Sequence, residues 1–185
     1  MASNNTFNEE EIVEQLHDND TCRSAFTKII DHFSKPLYWQ IRRMVIDHDT
    51  TNDLLQETFL KAWTNIDCFR GDAKLSTWLY RIAINETLTY IAKEKSKNQV
   101  SVSGDSFLVE NIEADKYFDG DELKVKLQKA VNSLPEKQRL VFNMRYFDEM
   151  RYEDMSEILG TSIGALKASY HHALKKVEQF FSDID

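Results

Sequence analysis

Two groups of side chains in this 185-residue sequence invite a chemical reading: carboxylates clustered in one short stretch, and cations with imidazoles spread along another. Glu153, Asp154 and Glu157 are the kind of grouping from which acid–base work is built. Nothing joins them. The sequence has no nucleophile elbow, no phosphate-cradling glycine loop, no HExxH and no metal-spaced Cys/His set, and Cys22 and Cys68 stand apart without a CxxC pair. No catalytic centre, metal site, cofactor or disulfide framework is indicated, and two isolated cysteines suit a reducing cytoplasm. The second group does different chemistry. Lys167, Lys175 and Lys176 can neutralise phosphates, and the imidazoles of His171 and His172 can donate or accept at a base edge.

That second group needs a helix to carry it, and the pattern supplies one. Ile163, Leu166, Tyr170, Ala173, Val177 and Phe180 recur at spacings of three and four, a continuous apolar stripe. Ala165, Lys167, Ala168, His171, His172 and Lys175 are left on the other faces. Tyr152 to Leu159 reads as a shorter helix with Met155, Ile158 and Leu159 inward; Gly160 suits its end, and Thr161 and Ser162 can cap the next. Together they form a helix-turn-helix, whose second helix can lie in a major groove. Upstream, Pro135 fits a first helical turn, followed by Leu140, Val141 and Met144.

The first half is also helical. Leu37, Ile41, Met44 and Val45 form one amphipathic run, and Leu55, Phe59, Ala62, Trp63 and Ile66 form another. A third extends from about Leu75 to Lys95, with Leu75, Trp78, Leu79, Ile82 and Ala83 on one side and Ser76 or Thr77 as candidate caps. It is entered through an irregular segment, Asp67 to Lys74, broken at Gly71 and Asp72.

Only 5 glycines and 2 prolines leave little turn chemistry for a sandwich or barrel. The net charge of −8 is unevenly spread: −6 over residues 1–20, +3 over 21–97, −6 over 98–122 and +1 over 123–185. The expected fold is all-α, with an acidic N-terminal segment (1–20), a helical domain (21–97), an acidic linker (98–122) and a helix-turn-helix domain (123–185). No repeat, signal peptide or apolar run of membrane-spanning length is seen, so a soluble intracellular protein is expected.

NDLLQETFLKAW (Asn52–Trp63), FRGD (Phe69–Asp72) and STWLYRIAINETLTYI (Ser76–Ile91) together resemble bacterial RNA polymerase sigma factors of the extracytoplasmic-function group. The stretch LPEKQRLVFNMRYFDEMRYEDMSEILGTSIGALKASYHHALKKV (Leu134–Val177) is similar to the domain of those factors that reads the upstream promoter element.

The resemblance implies a non-catalytic initiation subunit whose partners are core RNA polymerase and promoter DNA, duplex and melted. Asp53, Gln56 and Glu57 fall where the family docks on the clamp of core polymerase; at i, i+3 and i+4 they share one helical face. Phe69, Arg70, Gly71 and Asp72 fall in the loop that captures a flipped base of the minus-ten element. Asn85, Tyr80 and Arg81 follow along the single-strand path, with Lys93, Lys95 and Lys97 tracking phosphates. Trp78 lies on the apolar stripe and is read first as core, whereas Tyr80 and Asn85, off that stripe, are the stronger base contacts. Ser162, Ala165, Lys167, Ala168, His171, His172, Lys175 and Lys176 fall on the minus-thirty-five reader. Here the chain departs from the family: Ser169, His172 and Leu174 stand where arginines recur, so bidentate reading of guanine by Arg is absent from this helix. The linker reads equally as a segment threading the RNA channel or as a plain acidic tether. Small factors of this group are commonly held by anti-sigma partners, which no residue here specifies.

Two other classes remain open on the residues alone. A helix-turn-helix regulator would bind duplex DNA without being a polymerase subunit, and an adaptor would bind only protein. Specific initiation on adding core polymerase separates the first reading from both.

Overall fold

The computed structural model describes residues 7–69, 71–98 and 122–183; Arg70 and nearly all of the 98–122 linker lie outside them. The described residues form eight α-helices: α1 (Glu9–Leu16), α2 (Cys22–Val45), α3 (His48–Thr64), α4 (Leu75–Asn98), α5 (Glu122–Asn132), α6 (Glu136–Phe142), α7 (Tyr152–Leu159) and α8 (Ile163–Ser182).

The helices begin and end where local chemistry allows. Asn8 caps α1 by accepting from the Glu11 amide. Asp47 caps α3, taking the Thr50 amide at 2.7 Å, and hydrogen-bonding to Thr50 holds the pKa of its carboxyl below the usual range. Between them α2 runs 24 residues, longer than the Leu37–Val45 pattern suggests, because Ala25, Phe26, Ile29 and Phe33 continue the stripe upstream through Pro36. It stops at Ile46, whose φ of 66° is a costly left-handed conformation for a β-branched residue, held there by burial to 2% exposure. Pro135 precedes α6 as its cap residue instead of entering the first turn. A five-residue π-helical turn (Asn143–Phe147) extends α6.

The first four helices pack around Leu37, Ile41, Ala62, Leu75, Leu79 and Ala83. In the second domain α8 lies against α5 and α6 over Ala130, Val131, Leu134, Phe142, Ala173 and Val177. The two domains are not merely tethered. Leu140, Val141, Met144, Met155, Ile158 and Leu166 belong to the same apolar cluster as the first domain, and α4 packs on α7. The cause lies in α4, which carries two stripes. Leu75, Leu79 and Ala83 face α2 and α3, while Tyr80, Ile84 and Ile91, also buried, lie roughly 100° or more around the helix and need a second cover. At that seam Gln40, Met44, Ile84, Thr87, Leu88 and Leu140 line one crevice.

Candidate nucleic-acid interface

On α3, Asp53, Gln56 and Glu57 are all exposed, while Leu54, Phe59 and Ala62 are buried. Lys61 reaches back to Glu57 at 3.7 Å but bonds chiefly to Glu86 of α4. Reading the polar residues alone missed what continues the face. Leu60 is 54% exposed and Trp63, placed on the inward stripe by its spacing, is 37% exposed with its ring edge on Phe26. Gln56, Leu60 and Trp63 follow at i, i+4 and i+7, so the spacing itself held that signal. A polar patch running into an exposed apolar one is a docking surface in form.

The loop before α4 is built on Phe69. Its ring is 4% exposed and lies 5.0 Å from Trp78, so Phe69 anchors the loop inside the protein and does not present itself to DNA. Gly71 takes φ 76°, a left-handed turn that favours glycine, and both it and Asp72 are exposed. Thr77, a proposed cap, is instead buried at 2%. The amide of Leu75 is bonded to the Glu9 carboxylate of α1.

Along α4 the candidates part company. Asn85 is exposed, as a base contact requires, and Trp78 is half-buried in the core. Tyr80 is not the exposed ring expected from its place off the first stripe: it is 8% exposed, on the stripe the second domain covers. Burial pushes its hydroxyl far above the usual tyrosine range, with Asp148 of the second domain adding to the shift and Arg43 opposing it. Arg81 is exposed but donates to the backbone carbonyl of Glu157 in α7. Of the lysines expected to track phosphates, Lys95 pairs with Glu136 and Lys97 with Glu94, while Lys93 is exposed.

These contacts are part of a larger clasp. Lys74 bonds Asp154 at 2.7 Å, and Arg43 bonds Asp148 at 2.7 Å while lying 4.5 Å over the Phe147 ring. The Glu153, Asp154 and Glu157 group therefore spends Asp154 and a Glu157 carbonyl on holding the first domain. The seam also leaves polar atoms buried without partners: both amide atoms of Gln40, Oδ1 of Asn143 and Oδ2 of Asp148. Each subtracts from the stability of closure.

The helix-turn-helix matches its sequence pattern closely. Gly160 ends α7 at φ 61°, Ser162 accepts from the Ala165 amide as N-cap, and Leu166, Ala173 and Val177 are buried. Ile163, Tyr170 and Phe180 are half-buried. Ala165, Lys167, Ala168, His171, His172, Lys175 and Lys176 are all exposed, with the two imidazole rings 6.1 Å apart. Lys167 extends over the Tyr152 ring at 5.6 Å. Among the described residues no group of three or more His, Cys, Asp or Glu could hold a metal, no helix is long and apolar enough to cross a membrane, and both cysteines are free thiols.

Comparison with known proteins agrees with this architecture. Residues 29–97 match Sigma-70 region 2, and residues 124–177 match Sigma-70 region 4. The chain is 32% identical over 171 residues to the ECF RNA polymerase sigma factor SigW of Bacillus subtilis, spanning 88% of this chain and 91% of that one. With the ECF RNA polymerase sigma-E factor of Escherichia coli K12 it shares 27% over 177 residues, 90% and 91% of the two chains. Two solved structures share the fold. The sigma factor RpoE of Bartonella quintana, in complex with the anti-sigma factor NepR, aligns at TM-score 0.68 and 23% identity over 85% of this chain and 96% of its own. CnrH, in complex with the cytosolic domain of CnrY, aligns at 0.71 and 18% over 96% and 99%. Two matched regions in order, carried by two helical units, and a near full-length relative at 32% identity make one conclusion: the chain belongs to the extracytoplasmic-function sigma factors, which direct transcription initiation by RNA polymerase.

Proposed function

We propose that this sigma factor divides its work among three surfaces: α3 docks on core polymerase through Asp53, Gln56, Glu57 and the adjoining Leu60; the Gly71–Asp72 loop with Asn85 captures a base of the melted minus-ten element; and α8 reads the upstream duplex. The observation that carries this reading is exposure. All three groups face solvent, while the stripes behind them are buried. The subunit contributes binding and leaves catalysis to core polymerase, and it works in the cytoplasm.

In the closed form α7 packs on α4, Tyr80 is buried near Asp148 and Arg81 is held by the Glu157 carbonyl, so a strand following α4 reaches those residues only after the domains part. We read the closed form as the one an anti-sigma protein retains. Two chains of like fold were solved with partner proteins, one of them the anti-sigma factor NepR, and the unpartnered polar atoms at the seam reduce the stability of closure. Purified core polymerase and a promoter template test the division of labour. Charge reversal on α3 should weaken holoenzyme assembly, Asn85→Ala should spare assembly and lower permanganate-detected melting, and α8 variants should alter upstream selection. A factor in which all three variants lose the same step would refute it.

A further inference from the structure

Helix α1 precedes the matched Sigma-70 region 2, which starts at residue 29. The sequence there reads only as an acidic segment, yet the structure gives it three contacts with the loop and the helix that carry the minus-ten candidates. Glu9 Oε1 accepts the Leu75 amide, the first of α4. Val13 lies beneath Gly71: a Cβ added at Gly71 would meet Val13 Cγ1 at 3.7 Å. Glu9 also draws on Lys74, adding to the upward shift of its ammonium group, which Asp154 mainly causes.

A 24-residue helix presents unsatisfied amides and partial positive charge at its start, and it usually meets them with a side chain of its own cap residue. Lys74 cannot accept such a bond, and Thr77 is buried. The acceptor comes from 66 residues away, on a helix that is itself well fixed. Ile12 and Leu16 are buried, Asn8 caps α1, and Phe7 stacks on His32 of α2 at 4.0 Å. The capture loop is therefore held at both ends, at Phe69 by Trp78 and at Leu75 by Glu9, with Gly71 turning over Val13 between them.

We propose that α1 is a positioning element for base capture and Glu9 its decisive residue, fixing where the Gly71–Asp72 loop sits against Asn85. This rests on the base-capture role given above to that loop. Glu9 acts by holding the first turn of α4, and a helix cap of this kind shifts a local equilibrium about five-fold.

Reconstituted holoenzymes of the parent, Glu9→Ala, Glu9→Gln, Asp72→Ala and Asn85→Ala provide the test. Core affinity, upstream duplex binding, permanganate reactivity across the minus-ten element and selection over randomised minus-ten sequences are measured for each. Glu9→Ala should lower opening about five-fold and broaden minus-ten selection, with core affinity and upstream binding at parent values. Glu9→Gln, which keeps an acceptor oxygen, should recover most of both. If Asp72→Ala and Asn85→Ala impair opening while Glu9→Ala matches the parent, the role of Glu9 is refuted alone. If none of them impairs opening, the base-capture reading is overturned. An Ala variant that loses core affinity in step with opening would make Glu9 a general stabiliser and overturn its positioning role.

Discussion

Arg43 of α2 and Asp148, just past the π-helical turn, join the two domains through an ion pair of 2.7 Å whose side chains are 18% and 9% exposed. Burial raises the pKa of Asp148 above the usual carboxylate range, and the neighbouring guanidinium only partly offsets it. The pair is thus asymmetric. Removing Arg43 leaves a carboxylate buried and unpaired, at a cost of about 3–5 kcal/mol, whereas neutralising Asp148 relieves the larger desolvation penalty. Arg43→Ala should open the free protein and Asp148→Asn should leave it closed, seen as a larger radius of gyration in X-ray scattering for the first variant only. Equal opening by both would show that attraction outweighs desolvation.

The same asymmetry sets a pH dependence. Because the closed form holds the Asp148 proton to higher pH than an opened, solvated Asp148 does, closure is favoured by acid. This contribution is fully present below the ordinary value of 3.8 and is lost as pH rises through the raised one. Distance measurements between labels on α2 and α6 should show the closed population falling as pH climbs through that window in the parent, and a flatter response in Asp148→Asn.

For polymerase docking, Asp53→Arg combined with Glu57→Arg should weaken core affinity by at least ten-fold, since each reversal turns an attraction at a charged interface into a repulsion. Titration of labelled factor into core polymerase, with helicity checked by circular dichroism, reads the effect. Parent affinity in a folded double variant would move docking off α3.

On α8, Lys175→Ala should weaken binding to all upstream sequences alike and reduce the salt slope by about one, one phosphate contact releasing about one counterion. His171→Ala and His172→Ala should instead relax preference at particular base pairs, at ~1–3 kcal/mol per lost contact. Selection from randomised upstream elements distinguishes the two. Unchanged preferences in both histidine variants would shift readout to Ala165, Ala168 and DNA shape.

What the sequence made legible was local. The α7 bounds, the left-handed Gly160 and the Ser162 cap all follow from interactions within four residues, and periodicity alone found them. The exposed Asp53, Gln56 and Glu57 are equally a matter of helical spacing. What stayed hidden was covered or completed from far away. Tyr80 looked free because its partner, the second domain, is brought in by a separate stretch of chain; the cap of α4 is 66 residues upstream. An acidic run such as Glu9–Glu11 gives no sign that one carboxylate turns inward. The FRGD pattern groups Phe69 with its loop, although a ring beside Trp78 satisfies hydrophobic burial first.

The shared apolar cluster bears on how such a factor can be re-engineered. Leu140, Met144, Met155 and Ile158 belong to the apolar cluster that also holds Met44, Tyr80 and Ile84, and are separate from the second domain's own core around Phe142 and Val177. A chimera that grafts a foreign region 4 onto this region 2 inherits a mismatched seam, and the graft has to be matched on α2 and α4 as well as on α8. Promoter preference and resting solubility are then coupled traits, because the surface that is hidden at rest is the one a swapped module leaves sticky.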